Sequence, residues 1–280
     1  MKRIVKYCLA VLLLLTAVGA VMAVERAPRA GKRAVAADEQ TFTVVIDAGH
    51  GGKDPGCLGK LTNEKTVTLN VAKALGRMIE DSCKDVTVVY TRSDDRYLTL
   101  QQRANVANRN KGNLFISIHV NSLERGVLNR EKTAGSSVYV VGVEKEQSTL
   151  SVAMRENSVI ELEDDFTARY SGFDPQSAES YIIFELSNDL HLRKSLEFAN
   201  MAQNELVSTA GRRNKGVRQA GFWVLWATSM PAVLVELDFM CNPESERFLV
   251  SGDGVIRCST ALYNAFARYL QNYQAQQRSL

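Results

Sequence analysis

The chain has 280 residues, 45% of them hydrophobic and 23% charged, with a formal net charge of +3. Without the first 23 residues, which carry Lys2, Arg3 and Lys6, 31 basic residues stand against 31 acidic ones. That neutral balance excludes a charge-driven nucleic-acid partner, and the remaining length suits one sizeable core and not an array of small modules.

The N-terminus places Lys2, Arg3 and Lys6 before an apolar run from Cys8 to Ala23, with Val21 and Ala23 at the small-residue positions of a cleavage site. This pattern predicts a secretory signal over 1–23. The apolar run is 16 residues long, short of the roughly 20 needed to span a bilayer. The protein is therefore expected to be exported to the periplasm or cell envelope, with a polar linker over 24–41 and one folded domain over 42–280. Cys8 precedes the apolar run, which argues against a lipid-modified cysteine at the cleavage point. Four further cysteines, Cys57, Cys83, Cys241 and Cys258, form no CxxC pair. In an exported protein they allow two disulfides, and four buried thiols fit equally well. A Cys57–Cys241 bond is one pairing left open.

Taken in chain order, Thr43 to Asp47 is an apolar β-branched run that predicts the first strand. It ends in the glycine-rich stretch Ala48-Gly49-His50-Gly51-Gly52-Lys53-Asp54-Pro55-Gly56. Val67, Val71, Ala74, Leu75 and Met78 mark one face of the helix that follows, with Asn63 as its expected N-cap. Val86 to Tyr90 reads as a second strand, and Thr99 as the cap of a helix ending near Asn110, where Lys111-Gly112 stops it. Leu114 to Ile118 predicts a third strand leading into His119, and Val138 to Val141 a fourth. From Glu144 to Asp189 the sequence turns charged and irregular, with helical stretches near 146–162 and 177–187, as expected of an insertion. Regularity returns with a helix over 192–210, strands at 222–226 and 232–237, and a last helix with Leu262, Ala265, Phe266, Tyr269 and Leu270 on its core face. Strands alternating with helices predict an α/β fold: a single domain with a mostly parallel twisted sheet of about six strands and helices on both faces.

Ligands of such sheets bind beyond the carboxyl ends of the strands. His50 and His119 fall there, and so does Glu236 after Ala232-Val233-Leu234-Val235. Two imidazoles and a carboxylate at one rim make the ligand set of a catalytic zinc with one coordination position open. Glu64, opening the first helix, is the candidate third ligand, although an acidic residue is favoured there by the helix dipole alone. His191, in a polar stretch, reads as a surface residue. The glycines match neither a phosphate loop nor a dinucleotide fingerprint, and no Gly-x-Ser-x-Gly elbow is present.

Five ordered motifs then converge: Asp47 to Gly56, Asn63-Glu64-Lys65, Tyr90-Thr91-Arg92, Ser117-Ile118-His119-Val120-Asn121, and Pro231 to Glu236. Together, over about residues 42 to 272, they resemble the zinc-dependent N-acetylmuramoyl-L-alanine amidases of the cell-separation type. The resemblance implies hydrolysis of the amide between N-acetylmuramic acid and L-alanine in peptidoglycan, one Zn2+ per chain held by His50, Glu64 and His119, and Glu236 as the catalytic carboxylate. Asp47 and Asn121 are candidates for orienting ligands or substrate. It further implies that the insertion over 144–189 covers the zinc site until an envelope activator displaces it, or else shapes the substrate groove. Glu156, Glu161, Glu163, Asp164 and Asp165 supply carboxylates for such a cover. The chain departs from the family pattern at Asp238, whose charge is expected to bear on the pKa of Glu236 or to point away. No targeting domain or wall-binding repeat is expected beside the catalytic one. A zinc peptidase cutting within the stem peptide, and an inactive glycan-binding module, are the competing readings.

Overall fold

The computed structural model describes residues 41–142, 147–164, 166–185 and 191–279. The expected signal, nearly all of the linker, and both ends of the 144–189 insertion lie outside the described residues. Among those described, no helix is long and apolar enough to cross a membrane.

Six strands are described: β1 (Phe42–Ala48), β2 (Val86–Tyr90), β3 (Leu114–Asn121), β4 (Ser136–Val141), β5 (Asn214–Ala220) and β6 (Ala232–Phe239). They form one sheet in the order β2-β1-β3-β6-β4-β5. Every neighbouring pair is parallel except β4 with β6, which is antiparallel. The helices are α1 (Glu64–Ser82), α2 (Leu100–Arg109), α3 (Gln147–Asn157), α4 (Leu192–Ser208), α5 (Pro243–Val250) and α6 (Gly252–Arg278), with one-turn helices at Phe166–Arg169, Ile182–Glu185 and Trp223–Trp226.

Strand side chains alternate between faces, and the two faces are covered differently. Val44, Ile46, Ile116, Ile118, Val233 and Val235 point to one side, where they pack against α1, α4 and α6. All five residues expected on the core face of the last helix are buried there. Fully burying an aliphatic side chain contributes about 1.5–3 kcal/mol, so this layer anchors the sheet. Val45, Phe115, Tyr139 and Leu234 point to the other side, where an aromatic layer of Tyr170, Phe173, Tyr181, Phe184, Phe222 and Trp223 covers them. The inserted region is thus packed against the sheet.

Local chemistry explains most element ends. Thr99 caps α2 with a full capping box, its hydroxyl accepting from Gln102 and the Gln102 side chain accepting from the Thr99 backbone. Asn63 occupies the N-cap of α1, but its side chain accepts from Thr66 Oγ1 at 2.7 Å and not from a backbone N–H. The strand expected at 222–226 is instead the one-turn helix Trp223–Trp226, whose Trp223, Val224 and Leu225 are buried in the aromatic layer with Trp226 partly buried against it. The strand lies earlier, at Asn214–Ala220, on the edge of the sheet. An edge strand that tolerates Lys215 and Arg218 carries no apolar run to betray it. The four cysteines of the folded domain are free thiols.

Candidate metal centre

The alternation that builds the core also sorts the polar residues. Asp47, Ser117, His119 and Glu236 all fall on the face opposite α1, and His119 and Glu236 are register partners on β3 and β6. His50 follows the end of β1 with φ at 62°. A non-glycine residue in that region is strained, and such strain concentrates at functional sites. The turn brings the His50 ring within 4.8 Å of the His119 ring, centroid to centroid. Gly49 is required beside it, because a Cβ at that position would lie 2.4 Å from the His119 ring.

The cluster has four members. His50 Nε2 lies 3.1 Å from Glu64 Oε1 and 3.2 Å from Glu156 Oε2, while His119 Nδ1 lies 3.2 and 3.1 Å from the same two oxygens. All four atoms sit within 4.8 Å of one another. Ligands at about 2.0–2.1 Å from a tetrahedral zinc stand roughly 3.3 Å apart, so the spacing suits one such ion. His50 Nε2, His119 Nδ1 and Glu156 Oε2 are buried with no hydrogen-bond partner. Leaving three polar atoms in that state is costly, and a shared cation is what this donor set fits.

Neighbouring groups hold the donors in place. His50 Nδ1 is 2.7 Å from Asp54 Oδ2, which leaves Nε2 facing the cluster. Glu64 is fully buried, with Val120 N donating to Oε1 at 2.7 Å and Cys57 N to Oε2 at 2.8 Å. Burial acts to raise the Glu64 carboxyl, but the His50 charge overcomes it and holds the group below the usual range. Burial acts to lower His119, but Glu156 and Glu64 push it up to about 9.

Glu236 is fully buried one strand from His119, with Oε2 unpartnered. Burial pushes its carboxyl up, and the charges of Glu156 and Glu64 add to that. Arg155 Nη2 approaches Glu236 Oε1 at 3.5 Å, so this carboxylate has a partner of opposite charge. Asp238 does not face it. Asp238 accepts from Gly135 N, Phe239 N, Ser245 Oγ and Arg212 Nη1, and so turns away into a bonded network of its own.

Five ordered motifs, a mostly parallel sheet and a four-member cluster at its rim meet a match across the chain: the sequence profile of the Amidase_3 family, N-acetylmuramoyl-L-alanine amidase, covers residues 44–268. The chain belongs to this amidase family. It is 31% identical to the N-acetylmuramoyl-L-alanine amidase AmiC of Escherichia coli O6:H1 over 228 residues, covering 79% of this chain and 50% of that protein. It thus spans half the length of that relative. Against AmiA of Escherichia coli K12 the identity is 28% over 236 residues, 83% of this chain and 78% of AmiA. The crystal structure of an N-acetylmuramoyl-L-alanine amidase from Clostridium difficile 630 is similar with a TM-score of 0.61 at 25% identity, covering 83% of this chain and 98% of that one.

Within this chain the structure brings His50, Glu64 and His119 together, and the insertion contributes Glu156 from the last turn of α3. Glu161 and Asp164 are exposed, and Glu163 is taken by Arg169 and Tyr170. Asp165 lies outside the described residues. His191 is half-buried at the start of α4 and is not part of the cluster. Asp47 touches no donor of the cluster. It accepts from Thr91, Ser117 and Arg103, and Arg103 in turn donates to the His50 carbonyl at 2.6 Å. Asn121 accepts from Arg155 Nη1 at 3.1 Å. Sequence reasoning missed Asp54, Arg103 and Arg155. Only Asp54 left a signal, four residues after His50 in the same motif.

Proposed function

We propose that this chain is a zinc-dependent N-acetylmuramoyl-L-alanine amidase that hydrolyses the bond between N-acetylmuramic acid and L-alanine during cell-wall remodelling and daughter-cell separation. The observation that carries the reading is the convergence of His50 Nε2, His119 Nδ1 and Glu64 Oε1 on one point, with the imidazole nitrogens buried and otherwise unpartnered. In this reading those three residues hold the ion. A bound zinc supplies Lewis acidity toward the scissile carbonyl and lowers the pKa of a water to about 7. Glu236 takes the proton of the attacking water on its free Oε2 and delivers it to the amine of the leaving alanine. Asp54 orients His50, and Asp47 supports the same turn through Arg103.

Glu156 stands where the open position of such a site would be. We therefore propose that the covered arrangement is self-inhibited and that an envelope partner displaces α3. The contacts that such a partner would have to break lie in α3 and in the turn that follows it. Asn157 Nδ2 donates to the Gly221 carbonyl at 2.7 Å and to Tyr181 at 3.1 Å, its Oδ1 accepts from Trp223 N, and Lys53 donates to the Leu162 carbonyl at 2.6 Å. Export by a signal over 1–23 would bring the enzyme to its substrate.

Purified protein should contain one zinc, and His50→Ala, Glu64→Ala and His119→Ala should each lose or weaken it. Digested sacculi should yield peptides with a free N-terminal alanine and intact glycan chains. Cuts only within the stem peptide would make the chain a peptidase, and no release at all with partner and zinc present would make it a binding module.

A further inference from the structure

A cavity of about 680 Å³ opens beside the cluster, on the side of Asn121 and of Ser137, the β4 register partner of Glu236. Its volume is within the range of about 300–1,000 Å³ usual for ligand clefts. Its charge is one-sided. Among the described residues, Arg125, Arg130, Arg155, Lys215 and Arg218 line it, against one acidic residue, Glu124. A second cavity, of about 340 Å³, flanks the cluster on the His50 side and is lined by Asp54, Glu156 and Glu161 together with Arg155. The mature chain as a whole is neutral, so the basic lining is a local arrangement.

From these observations, and resting on the amidase reading, we infer that the 680 Å³ cavity binds the peptide stem and selects stems that carry free carboxylates, with Lys215 and Arg218 of β5 and Arg125 of the β3–β4 loop as the specificity determinants. The amide cut by an amidase has a neutral glycan on one side and a peptide on the other. Beyond L-alanine that peptide continues through a γ-linked glutamate, whose α-carboxyl is either free or amidated. A cleft of one sign with low-dielectric walls concentrates ligands of the opposite sign, and a guanidinium pairs a carboxylate through two parallel hydrogen bonds. The three named cations belong to the scaffold and not to α3, so they remain when α3 moves. Arg218 Nη1 donates to Thr149 Oγ1 of α3 at 3.1 Å.

The test compares two synthetic L-alanyl-γ-D-glutamyl-diaminoacyl peptides, one with a free glutamate α-carboxylate and one amidated there, by calorimetric binding to the full purified chain. The carboxylate form should bind about tenfold tighter at low salt, a difference of about 1.4 kcal/mol, and the gap should close in 1 M salt. It should also close in Lys215→Gln/Arg218→Gln. Arg125→Gln/Lys215→Gln, two exposed positions, repeats the test without touching a bonded side chain of α3. Equal binding of both peptides, or discrimination that survives in both folded variants, overturns the inference. Hydrolysis of the two matching muramoyl peptides in the presence of zinc is read separately. If neither is cut by a chain freed of its cover, the amidase reading fails, while the binding comparison still decides the cavity.

Discussion

His119 and Glu236 occupy the same register position on the adjacent parallel strands β3 and β6. Parallel neighbours in register project side chains to the same face, so the pairing delivers an imidazole and a carboxylate side by side at the rim of the sheet. One of them belongs to the donor cluster. The other keeps an unpartnered oxygen beside it. A base needs that arrangement: close to the reacting water, and not itself consumed as a ligand.

Glu236→Gln should therefore keep the fold and the zinc but lower turnover by about 10²–10⁴-fold, the usual worth of a positioned base. Steady-state rates with metal analysis on the same sample decide it. A near-normal rate would pass the role to another group. Asp238 is a poor substitute, since Arg212, Ser245 and two backbone N–H groups already occupy it.

The strands whose both faces are buried were legible as apolar runs, and the rule that parallel sheets bind ligands at their carboxyl ends placed His50, His119 and Glu236 together. β5 was illegible for a physical reason. Asn214-Lys215-Gly216-Val217-Arg218-Gln219-Ala220 lies at an edge, where one neighbour suffices and charged side chains reach solvent. The run Phe222-Trp223-Val224-Leu225-Trp226 misled because a short buried helix and a short buried strand share one composition. Glu156 could be named only as one of five acids. Which carboxylate reaches the cluster depends on how α3 docks, and that is settled by distant partners such as Asn157 on Gly221.

Asp54→Ala should weaken zinc binding by about 10–100-fold without unfolding the chain, the usual effect of removing a carboxylate that orients a ligating histidine. Competition against a chelator of known affinity measures it. Unchanged affinity would mean that the strained turn at His50 positions the ring unaided.

The Asp47–Arg103 pair at 2.8 Å predicts a pH signature. Burial acts to raise the Asp47 carboxyl, but Arg103 and hydrogen bonds from Ser117 and Thr91 outweigh it and hold the group below its ordinary value of 3.8. A depressed folded value means stability that is complete above the unfolded value and is lost as pH falls through the folded one. Asp47→Asn should thus cost on the order of 3 kcal/mol near neutrality, and the deficit should shrink in acid below the ordinary aspartate range. Melting temperatures of both proteins across that range test it. A deficit independent of pH would assign the loss to packing.

Glu156 admits two roles that differ in sign. As a permanent fourth ligand it would close the coordination shell, and a closed shell is structural. As a cover it would compete with water, and its removal would open the site. Glu156 reaches the cluster from α3, which is neither a strand nor one of the three long helices of the main core, and its neighbour Arg155 reaches Asn121, the Ser122 carbonyl and Glu236 from the same turn. A cover that a partner can lift must be favoured by only a few kcal/mol, since a ligand shifts an equilibrium by no more than its differential affinity. A 99:1 bias toward the covered state leaves about 1% of molecules competent. Glu156→Ala should then retain zinc and raise partner-free hydrolysis of peptidoglycan, by up to about a hundredfold at that bias. Asn157→Ala, which removes three bonds that seat α3 and leaves the four donors intact, should act in the same direction. Lost zinc with no gain in rate for Glu156→Ala would identify Glu156 as a structural ligand. Retained zinc with no gain in either variant would reject self-inhibition and make α3 a fixed wall of the substrate cleft.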